Sequence, residues 1–493
     1  MSAAFGMVIN GQQVPALSGK TFPIYNPANT EEVVGEVPQG DREDARRAIH
    51  AAQTAWKETW WPHLHESRRR GKILQRFIGL VETHKESLAR LLTREQGKII
   101  KESMGELDSL INTYDYYAGY GGKLTGTVTF VRDGENILKV ETRKEPIGLC
   151  AAILPFNFPV SLCAWKVAPA LIAGNAVIIK PASTAPLTNI RLAMLLHEAG
   201  VPAGIVNLVT GPSSTVGDEL VRHPAVRKIS LTGSTQTGKL IYAAAAEGLK
   251  HVTLELGGSD PTVVCDDADL PLAAQTVVRS GRFRNAGQSC TSVKRVYVFE
   301  AVFEEFAQRV AAEARQLKVG NGLEPATDMG PLNNAQVRSD VERLLHDALT
   351  RGAVLATGGA RPAGAGYERG YFFEPTVLLE VPPEAAIWEE ECFGPVLPLM
   401  KVHDLDDAIA KANEAPFGLG AAIWSESDKR IERFADRIHA GMVWANYKPL
   451  SVPEAPFGGV KDSGIGRELG AEGLAEYLET KSIRKFVGKA APY

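Results

Sequence analysis

Cysteine is scarce in this chain of 493 residues. The five cysteines are Cys150, Cys163, Cys265, Cys290 and Cys392, and no two of them form a Cys-x-x-Cys pair. An odd number of cysteines without such a pair predicts neither a disulfide framework nor a zinc site, so no metal is expected. Cys150, Cys163 and Cys265 stand among apolar residues, which predicts buried thiols. Cys290 is the exception, because it stands in the polar, glycine-bearing stretch RFRNAGQSCTS.

The chain also lacks a large excess of charge, a long apolar run and an N-terminal leader. Its 54 basic and 58 acidic residues give a formal net charge of -4, which favours neither nucleic acid nor an anionic membrane as a partner. No apolar run approaches the roughly 18 residues that a membrane helix needs. The N-terminal stretch MSAAFGMVINGQQVP has no basic segment followed by an apolar one. We therefore predict no signal peptide and a cytoplasmic location.

From Gly148 to Gly248 the sequence alternates between strand-like and helix-like runs. The strand-like runs are GLCAAILP, AVIIK, GIVNLVT and KISLTG, and a helical pattern follows each of them. This alternation predicts a parallel sheet with helices on both faces, within an α/β fold. Ligands of such sheets bind at the carboxyl ends of the strands. Here those ends carry LPFNFP, KPAS and GSTQTG.

The last two of these stretches each allow two interpretations. GSTQTG follows a strand and opens a helix, where backbone N–H groups favour a phosphate. Its spacing is not that of the usual dinucleotide fingerprint, and a plain glycine turn explains it equally well. In KPAS, Pro181 can simply end a strand, while Lys180 can point at a ribose or a phosphate.

Two more patterns flank this unit. TGTVTFVRDGENILKVETRKEP alternates around Asp133-Gly134, which predicts a β-hairpin. A long exposed hairpin needs a cover, and we expect another subunit to supply it. The tail LAEYLETKSIRKFVG predicts a helix and then a strand that can pair with the hairpin. A second α/β unit is predicted from ELGGSDPTVVC onward.

Eight short motifs resemble the aldehyde dehydrogenase superfamily and occur in the family's order. They are LPFNFPV, KPAS, LTGSTQTG, LELGG, GQSC, EEECFGPV, PFGLGAAIWS and APFGGVKDSGIGRE. The resemblance implies a Rossmann-like dinucleotide-binding domain at residues 1–124 and 146–255 and an α/β catalytic domain at 256–440. It also implies a β-hairpin oligomerisation arm at 125–145 and 475–493, and assembly into a homotetramer or a homodimer.

The resemblance also implies catalytic roles. Cys290 matches the nucleophile that forms a thiohemiacetal with an aldehyde, and an amide-rich setting is expected to lower its pKa. Asn157 matches the side-chain donor to the developing oxyanion, with the Cys290 N–H as the second donor. Glu255 matches the base for thioester hydrolysis, which favours a free-acid product over transfer to coenzyme A. Glu468 matches an acid assigned to proton relay. The plainer interpretations are an ion-paired or solvated Glu255 and a turn residue at Asn157.

The cofactor that the resemblance implies is NAD(P). NAD-preferring relatives often carry a glutamate at the position of Ser183, where it would repel a 2′-phosphate. The hydroxyl of Ser183 beside Lys180 therefore predicts that NADP is accepted. The residues that match cofactor-binding positions are Leu154, Pro155, Phe156, Lys180, Ser183, Gly233, Ser234, Glu391 and Phe393.

The substrate that the resemblance implies is a small aldehyde, and the positions that match substrate-binding ones are Trp165, Arg284, Ser451 and Phe457. In succinate-semialdehyde dehydrogenases an arginine at the place of Arg284 holds the substrate carboxylate, helped by a serine at the place of Ser451. A guanidinium suits such an anion. Those enzymes carry a second arginine where this chain has Trp165, as general aldehyde dehydrogenases do. A short anionic semialdehyde is the first expectation and an uncharged aldehyde the second, while a structural salt bridge would also explain Arg284.

Two other classes of function remain open at this point. Cys290 could serve a hydrolase or acyltransferase without a nicotinamide, although no histidine stands near it in the sequence. The chain could also be a former enzyme with a binding role, against which Cys290, Glu255 and Asn157 argue.

Overall fold

Two large β-sheets, each flanked by helices, make up most of the molecule. The structure is a computed structural model and describes residues 3–490. Its strands are β1 (Ala3–Ala4), β2 (Met7–Ile9), β3 (Gln12–Val14), β4 (Thr21–Asn26), β5 (Asn29–Pro38), β6 (Val128–Asp133), β7 (Asn136–Pro146), β8 (Leu149–Ile153), β9 (Ala176–Lys180), β10 (Val206–Leu208), β11 (Val226–Thr232), β12 (His251–Glu255), β13 (Pro261–Val264), β14 (Arg295–Phe299), β15 (Val354–Thr357), β16 (Thr376–Leu379), β17 (Val396–Val402), β18 (Phe417–Gly418), β19 (Gly420–Trp424), β20 (Met442–Ala445), β21 (Val460–Lys461), β22 (Gly464–Ile465) and β23 (Leu478–Lys489).

The α-helices of the described residues are α1 (Arg42–Glu58), α2 (Ser67–Gln96), α3 (Ile100–Ala118), α4 (Pro159–Ala173), α5 (Leu187–Glu198), α6 (Asp218–Arg222), α7 (Thr235–Ala246), α8 (Leu270–Thr276), α9 (Phe303–Arg315), α10 (Ala335–Thr350), α11 (Leu405–Asn413), α12 (Asp428–Arg437) and α13 (Gly470–Ala475). Of these, α1 to α3 lie before β6 in the chain, and the later α-helices lie between strands. No helix within residues 3–490 is both long enough and apolar enough to cross a membrane. The predicted α/β fold class is confirmed.

The first sheet is built around the alternating region of the sequence. Its order is β22-β12-β11-β8-β9-β10-β2-β3, and the five strands from β12 to β10 are parallel. Every residue of β8, of β9 and of α4 is buried, which explains why these runs are apolar all round. Pro159 stands in the first turn of α4, where its missing N–H costs no helical hydrogen bond.

The second sheet lies C-terminal to the first and is also mostly parallel. Its order is β15-β16-β17-β14-β13-β19-β20, with only β15 antiparallel to its neighbour. This confirms the predicted second α/β unit. The chain crosses from β12 of the first sheet to β13 of the second through residues 256–260. That crossing brings the carboxyl ends of the first sheet against the second one.

The predicted hairpin and the C-terminal strand form a separate three-stranded sheet, β6-β7-β23. The β7–β23 pairing runs from Pro146↔Leu478 to Asn136↔Lys489, as the tail pattern predicts. The turn residues are Gly134 and Glu135 rather than Asp133 and Gly134, because Asp133 still pairs with Asn136 in the ladder. Residues 491–493 of the predicted arm lie outside the described residues. The domain boundaries remain a proposal.

Candidate active site

Cys290 lies where two cavities meet. Residues predicted from separate stretches to bind an aldehyde line one of them, which measures about 400 Å³. Residues predicted to bind the cofactor line the other, of about 220 Å³. Besides Cys290, the larger cavity is lined by the predicted residues Trp165, Arg284, Ser451 and Phe457, and the smaller by Pro155, Phe156, Asn157, Gly233, Ser234, Glu391 and Phe393.

A strained turn carries Cys290. Asn285 and Ala286 adopt φ values of 51° and 53°, and Gly287 follows at 75°. Left-handed backbone at a non-glycine residue is unfavourable and persists only when the surroundings hold it. The Asn285 side chain does this: its amide donates to the carbonyls of Asn157 and Gln288, while its Oδ1 accepts from the side chain of Gln96.

The thiol of Cys290 is half-buried and differs from the other four cysteines, which are buried. Burial raises the pKa of the Cys290 thiol to about 12, and the nearby carboxylates Glu255 and Glu391 act in the same direction. The positive charge of Lys294 opposes these effects without cancelling them. The expectation of a lowered thiol pKa is therefore wrong for this structure, because desolvation outweighs the nearby positive charge.

Asn157 lies directly behind the Cys290 turn. Its side-chain amide is buried and donates to the carbonyl of Gln288 at 3.1 Å. Its own carbonyl accepts from the Lys98 ammonium at 2.7 Å and from the Asn285 amide at 2.9 Å. These bonds fix Asn157 at the edge of the smaller cavity, beside Cys290. It does more than complete a turn.

Glu255 ends β12 and is buried, yet within residues 3–490 neither of its carboxyl oxygens has a hydrogen-bond partner. Burial raises the pKa of Glu255 well above its ordinary value, and the charge of Glu468 raises it further. Lys166 and Arg467 lower it by smaller amounts. The residue is thus neither solvated nor ion-paired, and the structure does not place it on the wall of either cavity.

A buried lysine that the sequence analysis missed holds Glu468. The Lys166 ammonium donates to Glu468 Oε1 at 2.6 Å and to the Thr232 hydroxyl at 2.6 Å. The Ser230 hydroxyl donates to the same carboxylate oxygen at 3.0 Å. The signal for Lys166 was present in the sequence, because it is the one charged residue of the otherwise apolar run VSLCAWKVAPALIAG.

The smaller cavity combines aromatic rings, a carboxylate and the start of a helix. Phe156 and Phe393 meet edge to face at 5.9 Å between ring centroids, which gives the cavity an aromatic wall. Glu391 supplies a carboxylate to the same wall. Ser234 caps helix α7 by accepting from the N–H of Thr237 at 3.3 Å, so the helix starts at this cavity. Aromatic faces, an acceptor for ribose hydroxyls and a helix N-terminus together suit a dinucleotide.

Three predicted cofactor residues lie outside both cavities. Leu154 is buried after β8, and its N–H donates to the carbonyl of Lys180 at 3.0 Å. The Lys180 side chain is also buried; its ammonium donates to the Pro181 carbonyl at 3.1 Å, and burial lowers its pKa to about 8. Ser183 is exposed just beyond. The structure thus brings Ser183 and Lys180 to one strand end, away from Cys290.

Aromatic rings and one cation shape the larger cavity. The rings of Trp165 and Phe457 lie 4.7 Å apart between centroids. Arg284 is exposed, and its guanidinium lies 5.0 Å from the centre of the Phe158 ring. Among residues 3–490 no ion pair within 4.0 Å involves Arg284, although its positive charge acts to lower the pKa of Glu102 against the effect of burial.

Comparison with known proteins agrees with this geometry. A family model described as "Aldehyde dehydrogenase family" matches residues 14–483. The chain is 41% identical over 475 residues to the 3-sulfolactaldehyde dehydrogenase of Pseudomonas putida, covering 96% of each chain. It is 39% identical over 475 residues to the NADP(+) succinate-semialdehyde dehydrogenase GabD of Escherichia coli, again covering 96% of each.

The solved structures give the same result. The betaine aldehyde dehydrogenase of Staphylococcus aureus in complex with NAD+ superposes with a TM-score of 0.94 at 37% identity, over 97% of this chain and 94% of that one. The chain therefore belongs to the aldehyde dehydrogenase family. It is an NAD(P)-dependent oxidoreductase that oxidises aldehydes.

Proposed function

We propose that the enzyme oxidises a short aldehyde to the free carboxylic acid through a covalent intermediate on Cys290. The observation that supports this most directly is the position of Cys290, which lines both the cavity of the predicted substrate residues and that of the predicted cofactor residues. A carbonyl that enters from one side would meet the sulfur next to the other. Replacing Cys290 and following NAD(P)H absorbance with an aldehyde tests the proposal.

In this mechanism the Cys290 sulfur bonds to the aldehyde carbon, the thiol proton passes to water, and the electron pair of the carbonyl moves onto its oxygen. The resulting oxyanion accepts hydrogen bonds from the Asn157 amide and the Cys290 N–H, and such donors are typically worth about 3–4 kcal/mol each. NAD(P)+ bound in the smaller cavity would accept the hydride. The remaining thioester is opened by a water whose proton Glu255 accepts in its deprotonated form. Lys166 and Glu468 lie beside Glu255 and bias its protonation.

For the substrate we infer an aldehyde that carries an anionic group at its far end. Arg284 lines the larger cavity without an ion pair among the described residues, and Ser451 lies on the same wall. Two relatives are named for aldehydes that bear a sulfonate or a carboxylate. An exposed guanidinium on a cavity wall can recognise such groups in a bidentate manner.

An uncharged aldehyde is the second candidate. Trp165 and Phe457 form an aromatic wall that would suit it. Replacing Arg284 with Leu separates the candidates when succinate semialdehyde is compared with a neutral aldehyde of similar length. We expect KM to rise about tenfold or more for the semialdehyde alone. Equal changes for both substrates would favour the neutral aldehyde.

For the cofactor we propose that NADP is accepted alongside NAD. Ser183 is exposed at the end of β9 beside Lys180, and a hydroxyl there would not repel a 2′-phosphate. The ratio of kcat/KM for the two cofactors tests this. The matched variant is Ser183→Glu, which should lower kcat/KM for NADP and leave that for NAD much less affected. Rejection of NADP by the unmodified enzyme would contradict the proposal.

For the assembly we propose a homodimer or a homotetramer in which a second copy covers the arm. Val128, Phe130 and Phe486 are exposed on the β6-β7-β23 sheet. Leu240 and Tyr242 are exposed on α7. Exposed apolar patches of this kind favour association. Light scattering on the purified protein measures the mass directly, and a monomer at micromolar concentration would exclude both assemblies.

The hydrolase alternative uses the same thiol without a nicotinamide. It predicts ester turnover that is indifferent to NAD(P) and no aldehyde-dependent NAD(P)H signal. An absorbance assay at fixed enzyme concentration, with and without aldehyde, distinguishes the two. The aromatic wall of Phe156 and Phe393 beside Cys290 has no function in the hydrolase alternative.

A further inference from the structure

Another buried lysine, Lys294, connects the nucleophile turn to the cofactor cavity. It stands four residues after Cys290, immediately before β14, and is 2% exposed. Its ammonium donates to the main-chain carbonyl of Cys290 at 2.7 Å. The same nitrogen donates to Glu391 Oε1 at 2.6 Å. One positive charge therefore joins the main chain of the nucleophile to a carboxylate on the cofactor wall.

The two carboxyl oxygens of Glu391 differ in their hydrogen bonds. Oε1 accepts from Lys294 and, at 3.2 Å, from the N–H of Gly258. Oε2 makes no hydrogen bond within residues 3–490, and a Cβ at Gly257 would lie only 2.6 Å from it. The close approach of the backbone at Gly257 and the two donors on Oε1 leave the carboxylate a single orientation. Its free oxygen thus stays available to a hydroxyl in the cavity.

A carboxylate on a cavity wall needs such support. Without a cation, a partly buried carboxylate would turn toward solvent, where water hydrates its charge. A charge-assisted bond at 2.6 Å to a buried ammonium prevents this, because a lysine whose other partner is a fixed main-chain carbonyl cannot follow the carboxylate outward. Lys294 is thus suited to position Glu391 relative to Cys290.

We propose that Lys294 is a positioning residue. It holds Glu391 in the orientation for binding the nicotinamide ribose and fixes the position of that carboxylate relative to Cys290. The proposal rests on the cofactor role proposed for Glu391. A purely structural role for Lys294 is the competing explanation. It predicts a loss of stability that does not depend on which residue occupies position 391.

A double-mutant cycle on dinucleotide affinity separates the two explanations. The Kd values of NAD+ and NADP+ are measured by calorimetry, without aldehyde, for the unmodified enzyme, Lys294→Met, Glu391→Gln and the double variant. We expect each single substitution to weaken binding about tenfold, and the double variant to bind no more weakly than Glu391→Gln alone. Lys294→Arg, which keeps the charge, should recover part of the affinity.

The control is Lys228→Met, which removes another fully buried lysine. Lys228 donates to the Thr253 hydroxyl at 2.7 Å and lines neither cavity, so its loss should leave the two Kd values unchanged. Lys294→Gln is measured in parallel, so that poor folding of the methionine variant does not prevent the comparison. Unchanged affinity in the Lys294 variants overturns the proposal, and so does an equal weakening in both Glu391 backgrounds.

Failure of the underlying functional proposal would look different. If Glu391→Gln binds both dinucleotides as tightly as the unmodified enzyme, the role of Glu391 is wrong and the role of Lys294 falls with it. If Glu391→Gln weakens binding and Lys294→Met does not, only the positioning proposal fails. Alkylation of Cys290 by iodoacetamide gives a second readout. Saturating dinucleotide should change its rate in the unmodified enzyme and change it less in Lys294→Met.

Discussion

On the cofactor side of Cys290, Glu391 is tied to the buried Lys294, whereas on the substrate side Arg284 faces its cavity without an ion pair among the described residues. The same contrast between a paired and an unpaired ionisable group holds for the two buried glutamates near the site. Glu468 is bound to Lys166, while Glu255 is buried with no hydrogen-bond partner on either oxygen. A buried group without a partner, such as Glu255, is costly, so a fold retains it where a ligand or a reaction uses it, whereas the exposed Arg284 stays hydrated until a ligand binds.

The comparison therefore predicts two kinds of mutational effect. Removing a group without a partner should reduce activity and leave stability nearly unchanged. Removing one member of a buried pair should reduce stability, because the other member is left charged and desolvated. The experiments below test this distinction, in order of decreasing effect.

The largest effect is expected for Glu255→Gln. Turnover should fall about 10²–10⁴-fold, the range of a positioned general base, while the rapid formation of the first equivalent of NAD(P)H persists. Because burial raises the pKa of Glu255, steady-state turnover of the unmodified enzyme should rise with pH as the carboxyl loses its proton, and the variant should lack this rise. Stopped-flow absorbance measures both phases. Loss of the rapid phase would show that Glu255 acts before hydrolysis.

Asn157→Ala should have the next largest effect. Removal of one oxyanion donor typically lowers kcat about 10²–10³-fold. The substitution removes the side-chain bond to the Gln288 carbonyl, which still accepts from the Asn285 amide, and leaves the Asn157 main-chain carbonyl with its donors Lys98 and Asn285. The melting temperature and the dinucleotide Kd should therefore stay close to those of the unmodified enzyme. A KM effect with an unchanged kcat would show instead that Asn157 only shapes the cavity.

How far these residues could be predicted depends on the origin of their placement. The strand and helix runs of the first sheet follow from local periodicity, whereas Asn157 and Glu255 were predicted from the motifs LPFNFPV and LELGG, which resemble those of the family. Lys166 and Lys294 were missed, because their partners Glu468 and Glu391 lie 302 and 97 residues away along the chain. The raised pKa of Cys290 also could not be predicted, since it depends on burial by the whole fold rather than on the neighbouring amides.

Lys166→Met tests the paired side of the comparison. It should lower the free energy of unfolding by about 3–5 kcal/mol, because Glu468 is left buried without its cation. The double variant Lys166→Met/Glu468→Leu is the matched control and should recover much of that loss. Denaturant titration measures both values. Equal destabilisation of the single and double variants would mean that packing, and not the ion pair, determines stability here.

The smallest effect concerns Asp260, which lies where the chain crosses between the sheets. Its Oδ1 accepts from the N–H of Gly420, its Oδ2 has no partner, and burial raises its pKa to about 7 from an ordinary 3.8. An acid whose folded pKa exceeds its unfolded pKa destabilises the fold as pH rises between the two values.

Asp260→Asn keeps the acceptor for Gly420 and removes this titration. The variant should be close in stability to the unmodified protein near pH 4 and become the more stable of the two as the pH rises to 8. Denaturant titrations at the two pH values measure the difference. A variant that is less stable at pH 8 would show that ionised Asp260 is stabilised by Lys294, on the paired side of the site. Asp260 would then no longer count among the buried groups without partners.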